Sequence, residues 1–302
     1  MDAKVFRAGV VTALYHQPVL LQPAVEGLVW HPSGVYVDAT FGGGGHSRAI
    51  LSRLASNGRL IGIDKDPDAP LHALADERFV GVRGDFRDIE TLLSERSIHR
   101  VAGILADLGI SSHQIDEPSR GFSYRWDVPL DLRMDPTVGL PAWAWLKYQH
   151  PEGLARLLRM YGDLPRSRRL ADVILENWQP HFTTGQLVAC AQKVYGKQAS
   201  ERLAPLFQAI RIAINGEYEA LRALLEAATR LVERGGRLVI LTYHSGEVRL
   251  VKAHLHRPAY EDPVTGQKQM AWRLLGKVFP SPAEVQDNPR SRSAILWIAE
   301  KL

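Results

Sequence analysis

The run Val35-Tyr36-Val37-Asp38-Ala39-Thr40-Phe41-Gly42-Gly43-Gly44-Gly45-His46-Ser47 constrains the fold more than any other stretch of the chain. An apolar strand leads straight into four glycines and then into a helix start. Glycine has no Cβ, so the backbone turns tightly there and leaves bare peptide for a ligand to lie against. The helix behind it presents free N–H groups and a positive dipole end, which suit a polar or anionic ligand part. Such a unit usually holds a nucleotide-like cofactor. The dinucleotide pattern G-x-G-x-x-G requires a third glycine at 47 or 48, where the chain has Ser47 and Arg48. This weakens a classical dinucleotide site, and the phosphate-loop reading fails because no Gly-Lys-Ser/Thr follows the glycines.

The second apolar run, Arg59-Leu60-Ile61-Gly62-Ile63-Asp64, ends in an acid. An acid about 20 residues beyond the glycines, at the tip of the second strand, is placed to accept hydrogen bonds from ribose hydroxyls. Cofactors without a pyrophosphate use the same geometry, and S-adenosylmethionine is the commonest of them. The competing role for Asp64 is a helix N-cap. Asp66 followed by Pro67 already supplies one, and this pair predicts a helix over 67–75.

Strand and helix signals alternate over residues 35–107. Strands are expected at 35–38, 60–64, 79–82 and 101–107, and helices near 47–55, 67–75 and 86–97. This alternation predicts parallel βαβ units with both sheet faces covered. The pattern breaks at 108–150, which is rich in Gly, Pro, Ser, Asp and Trp. Helical spacing returns over 151–200, where Leu154, Leu157, Leu158 and Tyr161 share a face and Leu170, Val173 and Ile174 follow. Beyond Phe207 a long helix to Arg234 is expected to stop at Gly235-Gly236. A strand at 237–242, a helix at 247–256 and a strand at 294–298 complete the pattern, with Asp262 to Lys268 as a surface loop. The predicted class is α/β: one Rossmann-like sheet built from 1–112 and 206–302, interrupted by a mainly helical domain over 113–205.

With 302 residues, 45% of them hydrophobic, the chain can bury a sizeable core. Its net charge of +4 is compatible with a nucleic-acid partner. Five arginines crowd one stretch (156, 159, 166, 168 and 169), and Arg290 and Arg292 form a second group; such clusters are usually solvated helix faces. The single cysteine, Cys190, cannot form an intramolecular disulfide and reads as a small buried apolar residue. No signal peptide and no run of ~20 apolar residues is visible. A cytoplasmic location and no membrane partner are therefore expected. No Cys/His spacing suggests a metal.

Ligands of open α/β sheets lie beyond the carboxyl ends of the strands. There the sequence brings together the glycine loop, Asp64, Gly84-Asp85-Phe86 and Asp107-Leu108-Gly109-Ile110-Ser111-Ser112. The Phe86 ring covers an adenine face or is a core aromatic at a helix start, and pattern alone favours neither. Asp107 ends its strand where a sulfonium methyl would lie. A carboxylate there can accept N–H hydrogens from an exocyclic base amine and restore its nucleophilicity, bind the cofactor's amino group, or cap the next turn. The irregular block from Asp116 to Asp135 mixes aromatics, arginines and acids, which suits an unstacked base or a tightly packed loop. His244 closes a later strand and is expected to face the same cleft.

These residues resemble the bacterial small-subunit ribosomal RNA cytosine-N4 methyltransferases. The resemblance runs from His16-Gln17-Pro18-Val19-Leu20 to Asn288-Pro289-Arg290-Ser291-Arg292-Ser293, and its marks include the glycine loop, Gly62-Ile63-Asp64-Lys65-Asp66-Pro67, Leu105 to Ser112, Arg120-Gly121-Phe122-Ser123, Pro129 to Pro136, Phe207 to Asn215 and His244-Ser245. It implies a class I S-adenosylmethionine fold with an inserted helical domain. The implied reaction is N4-methylation of a cytidine in the decoding centre of 16S ribosomal RNA, with the small ribosomal subunit as partner. By matching motif positions, the resemblance implies cofactor contacts from Gly44, Gly45, His46, Asp64, Phe86, Asp107 and Gln114. It leaves Ser111, Ser112 and Arg133 as candidates around the base, beside Asp107 and His244.

The chain departs from the family at three places. Gly246-Glu247-Val248-Arg249 stands where the family usually has Leu-Glu-Asp-Arg, Pro205-Leu206 where it has Arg-Thr, and Asp127-Val128-Pro129 where it has Asp-Gly-Pro. All three lie on the expected substrate side. They motivate a second reading, a small-subunit assembly factor that keeps the S-adenosylmethionine pocket but little catalysis.

Overall fold

Seven strands form the central sheet in the order β3-β2-β1-β4-β5-β9-β8. They are β1 (Val35–Asp38), β2 (Arg59–Asp64), β3 (Phe79–Arg83), β4 (Val101–Asp107), β5 (Val232–Thr242), β8 (Trp272–Val278) and β9 (Ile295–Lys301). A separate two-stranded hairpin joins β6 (Pro258–Glu261) to β7 (Lys268–Met270). The computed structural model describes residues 18–263 and 265–302; His16 and Gln17, at the start of the family resemblance, lie outside the described residues. Strands β1 to β5 run parallel, and β9 runs antiparallel to both its neighbours.

Six of the seven residues of β4 are buried, because a central parallel strand is covered on both faces. One face of the sheet packs on α3 (Ile89–Ser94), α10 (Glu217–Leu231) and α11 (Ser245–Leu255) through Ile89, Leu224 and Val251. The other packs on α1 (Leu21–Leu28) and α2 (Gly45–Arg53) through Leu28 and Ile50. Each such side chain, removed from water, contributes about 1.5–3 kcal/mol. The remaining short helices of this part are α4 (Ser112–Asp116) and α12 (Pro282–Asp287).

A second apolar cluster runs from Phe122 to Ile210. It is built by α5 (Ala142–Leu146), α6 (Pro151–Gly162), α7 (Ser167–Glu176), α8 (Thr184–Tyr195) and the first part of α9 (Ala199–Asn215). Residue 205 lies inside α9, and Leu206 is fully buried in this cluster.

Three elements differ from the sequence expectation. No helix forms over 67–75, where the chain makes turns instead. Asp66 caps only a local turn at Asp68 N–H (3.0 Å), and its carboxylate is held by Arg120 and Gln114; Pro70 also interrupts the segment. The long helix to Arg234 is two helices, because Gly216 takes a left-handed φ of 58° between α9 and α10. Gly235 and Gly236 do not stop a helix. They lie within β5, where the β4–β5 register shifts as the chain bulges. The edge strand β8, with Trp272 its one buried residue and the rest half-buried or exposed, lies outside the sequence expectation.

Candidate active site

Two carboxylates shape the glycine loop. Asp38, buried at the tip of β1, accepts a hydrogen bond from the Ser47 hydroxyl at 2.7 Å and another from the Thr40 N–H at 3.2 Å. Position 47 therefore carries a hydroxyl that ties the first turn of α2 to the strand, where a dinucleotide site would carry glycine. Burial pushes the Asp38 carboxyl up, against the pull of His46 and Ser47. Asp64 accepts from the Gly42 N–H at 2.7 Å and from the Asp66 N–H at 2.9 Å. Burial pushes its carboxyl up to about 6.

The glycines have distinct roles. Gly42 and Gly44 adopt left-handed φ values of 52° and 74°. A Cβ on Gly42 would meet only the Thr40 carbonyl, at 3.9 Å, so this peptide is open to a ligand. A Cβ on Gly44 would lie 2.7 Å from the Phe41 ring, and one on Gly45 would lie 2.2 Å from Pro18. Gly44 and Gly45 are thus packed against protein and offer a ligand their backbone only.

His46 is buried behind the loop. Its Nε2 lies 3.2 Å from the Val19 carbonyl and its Nδ1 lies 3.8 Å from Asp107 Oδ2. At the tip of β4, the Asp107 N–H donates to Thr40 Oγ1 at 2.7 Å, and Asp107 Oδ1 accepts from the Tyr243 hydroxyl at 2.6 Å. The Tyr243 phenol is held well above its ordinary range by burial and by Asp107. Tyr243 is a site residue that sequence reasoning passed over in favour of His244. The usable signal was pairing: β4 and β5 are neighbours with Asp107 opposite Leu241, so the residue just past the β5 tip reaches Asp107.

Phe86 opens a short 3-10 turn past β3, partly buried against the core. It lines a crevice together with Thr40, Lys65, Leu108, Gly109 and Tyr218. Its ring packs on the core, one of the two roles the sequence left open, and also lines this crevice. A Cβ on Gly109 would find only the Tyr243 ring, at 3.8 Å, so the backbone after Asp107 is also open. Lys65 pairs with Asp85 at 3.3 Å and ties the tips of β2 and β3 together.

The other expected site residues are held by protein partners. Ser111 caps α4 and forms a reciprocal capping box with Gln114. The Gln114 side-chain amide donates to Asp66 at 2.6 Å, so this side chain is an anchor of the loop over β2. The Ser112 hydroxyl accepts from Arg290 at 2.5 Å, and Arg290 also reaches Asp116 at 3.1 Å. Arg133 forms a bidentate pair with Asp131, at 2.8 and 2.7 Å, and donates to the Gly139 carbonyl. His244 caps α11: its Nδ1 accepts from the Glu247 N–H at 3.4 Å, and its Nε2 lies 3.2 Å from Glu247 Oε1. The strand-tip contact with Asp107 belongs to Tyr243.

A buried ion pair, Arg120 with Asp66 at 3.0 and 3.1 Å, fastens the irregular block to the sheet. Arg120 also donates to the carbonyls of Arg133 and Met134. Just before those contacts Leu132 adopts a left-handed φ of 64°, and Asn215 holds it by donating to the Leu132 carbonyl at 2.8 Å and accepting from the Met134 N–H at 2.7 Å.

This strand order, with its one reversed strand and a glycine loop leading from β1 into α2, defines a Rossmann-like methyltransferase. Residues 13–302 match the MraW methylase family, and the chain belongs to it. It is 45% identical over 296 residues to the ribosomal RNA small subunit methyltransferase H of Bacteroides thetaiotaomicron, covering 95% of this chain and 97% of that one. It is 43% identical over 310 residues to the protein of the same name from Burkholderia cenocepacia, covering 96% and 98%. Among solved structures, an rRNA methylase from Streptococcus thermophilus aligns over 93% of each chain, with 14% sequence identity and a TM-score of 0.38. Among the described residues no helix is long and apolar enough to cross a membrane.

Proposed function

We propose that this methyltransferase uses S-adenosylmethionine to methylate the N4 amine of a cytidine in the decoding centre of 16S ribosomal RNA. The observation that carries the reading is the convergence of an open glycine peptide, the Asp64 carboxylate, Phe86 and Asp107 at the carboxyl edge of one sheet. The names of the two relatives support the ribosomal small-subunit substrate. The residues fit the cofactor, since Gly42 and Gly109 leave bare backbone and Asp64 offers a partly buried acceptor.

Bound S-adenosylmethionine supplies a methyl group on a positively charged sulfur. The protein's part is alignment and hydrogen bonding. Asp64 accepts the ribose hydroxyls, the Phe86 ring covers the adenine, and the backbone from Gly42 to His46 lies along the rest. Asp107, oriented by Tyr243, would accept a hydrogen bond from the exocyclic amine and favour its lone pair as nucleophile. The nitrogen–methyl bond would form as the sulfur–methyl bond breaks, S-adenosylhomocysteine would leave as the neutral thioether, and the surplus amine proton would pass to the Asp107 carboxylate. Ser111, Ser112 and Arg133 shape the loop that faces the base. The insert over 113–205 supplies substrate recognition.

The test is methyl transfer from labelled S-adenosylmethionine to small subunits from cells lacking this protein, read by nucleoside mass spectrometry. Label on N4-methylcytidine is expected. Label on another base or only on protein would overturn the substrate. Tight subunit binding with no turnover at saturating S-adenosylmethionine would instead favour the assembly-factor reading.

A further inference from the structure

Three arginines of the insert's cluster converge on one concave corner. It lies where α6 meets α7 and is lined by Arg159, Asp163, Arg166, Ser167 and Arg168. A solvated helix face would spread its charges around one helix. Here Arg159 comes from the last turn of α6, and Arg166 and Arg168 from the N-cap and first turn of α7, while Arg156 and Arg169 lie on the same two helices outside the lining. The two nearby carboxylates Glu152 and Asp172 both bond to Arg168. Among the described residues, Arg156, Arg159, Arg166 and Arg169 have no ion pair with any carboxylate. Asp163 is the only acid among the residues lining the corner.

The corner is stiff. Leu158, Leu164 and Leu170 beneath it are buried, and the Tyr195 hydroxyl donates to the Pro165 carbonyl at 2.7 Å. Arg166 is braced by donating to the Val194 carbonyl at 3.2 Å. The corner is also tied to the crevice. The last turn of α6, which carries Arg159, carries Tyr161, whose ring stacks edge-on against Tyr218 at 5.0 Å between centroids. Tyr218 lines the crevice beside Phe86.

We infer that the α6–α7 corner is a docking surface for the phosphate backbone of RNA, and that it holds the strand flanking the target base while that base enters the crevice. Unpaired guanidinium groups converging from two helices suit phosphate oxygens, which accept their N–H donors in pairs. Such contacts fix register without reading sequence. The inference rests on the RNA substrate proposed above and names the surface that engages it.

The test is the triple variant Arg159→Gln, Arg166→Gln, Arg168→Gln, which neutralises the three arginines lining the corner, titrated with a transcribed small-subunit RNA fragment over a range of salt concentrations. Each phosphate contact contributes ~0.7–0.9 to the slope of log affinity against log salt. The triple variant is therefore expected to lower the slope by about 2, with calorimetric S-adenosylmethionine affinity unchanged. Neutralising Arg222 and Arg234, on α10 and β5, serves as the control and is expected to leave the slope alone. An unchanged slope in the triple variant, or an equal fall in the control, would overturn the docking surface. So would loss of subunit binding with RNA binding intact, which would mark a protein partner instead. Methyl transfer by the wild-type protein, measured in parallel, decides the RNA substrate separately.

Discussion

The Tyr243 hydroxyl lies 2.6 Å from Asp107 Oδ1, so the tip of β5 holds the acid at the tip of β4. His46 approaches the other carboxylate oxygen at 3.8 Å from behind the glycine loop. The Asp107 side chain is thus oriented by the Tyr243 hydrogen bond, with His46 beside it. A hydrogen bond to a charged group is worth ~1.5–3 kcal/mol. Tyr243→Phe removes that bond and little else. It is expected to lower kcat by about 10- to 100-fold, with the affinity for S-adenosylmethionine changed much less. Steady-state kinetics with separate kcat and KM values check this. An unchanged kcat would remove Tyr243 from the positioning of Asp107.

Much of the sheet was legible because its strands are short apolar runs with acids at their carboxyl ends. Strands β1 and β4 have the boundaries their sequences predict. The failures share a physical cause: long-range partners overrode local signals. Asp66 and Pro67 look like a helix start, but Arg120, 54 residues away, takes the Asp66 carboxylate. Gly235 and Gly236 look like a helix stop, but pairing with β4 turns them into a bulge. At the candidate site, the local motifs single out the glycine loop, Asp64, Phe86 and Asp107, which the fold brings to the carboxyl edge of one sheet. They did not find Asp38 or Tyr243, whose roles depend on which strands and helices become neighbours.

The Arg120–Asp66 pair is buried on both sides, with side chains 7% and 6% exposed. Removing one partner of such a pair leaves an uncompensated buried charge and costs ~3–5 kcal/mol. Arg120→Ala is expected to lower stability by about that amount in denaturant unfolding. Arg120→Lys is expected to recover only part of it, because a point charge cannot also serve Asp68 and the carbonyls of Arg133 and Met134. Full recovery by lysine would reduce the site to simple charge pairing.

Asp64 carries a pH dependence with a definite sign. Burial raises its carboxyl from 3.8 to about 6 in the folded protein. Ribose hydroxyls donate to the ionised form, so cofactor affinity is expected to be full above pH 7 and to fall as pH drops through about 6. The same raised value means that ionising Asp64 opposes folding. Its contribution to stability is favourable at low pH and is lost as pH rises from 3.8 to about 6. Asp64→Asn is expected to weaken S-adenosylmethionine binding at pH 8 and to flatten its dependence below pH 7. Calorimetry across pH 5 to 8 checks both, and a wild-type affinity that is flat over that range would sink the ribose role.

The glycine at 246, where the family usually has leucine, is explained by Tyr218. A Cβ on Gly246 would lie 1.6 Å from the Tyr218 hydroxyl oxygen and 2.5 Å from its Cζ. Tyr218 is buried, its phenol is pushed up to about 12 by burial and by Glu247, and it lines the crevice. Phenol and glycine therefore occupy one shared volume at the start of α11. Gly246→Ala alone is expected to overpack this volume and cost ~1–3 kcal/mol. Tyr218→Ala alone opens a cavity and costs ~3–5 kcal/mol, as loss of a large aromatic does. Together the two changes relieve each other, because the alanine methyl at 246 no longer meets a ring. The double variant is expected to be more stable than the sum of the single effects by about 1 kcal/mol or more, within the range for residues in contact. Urea unfolding of all four proteins checks this. Strict additivity would mean that the backbone at 246 moves aside from Tyr218 without strain, and the departure from leucine would then have no packing cause.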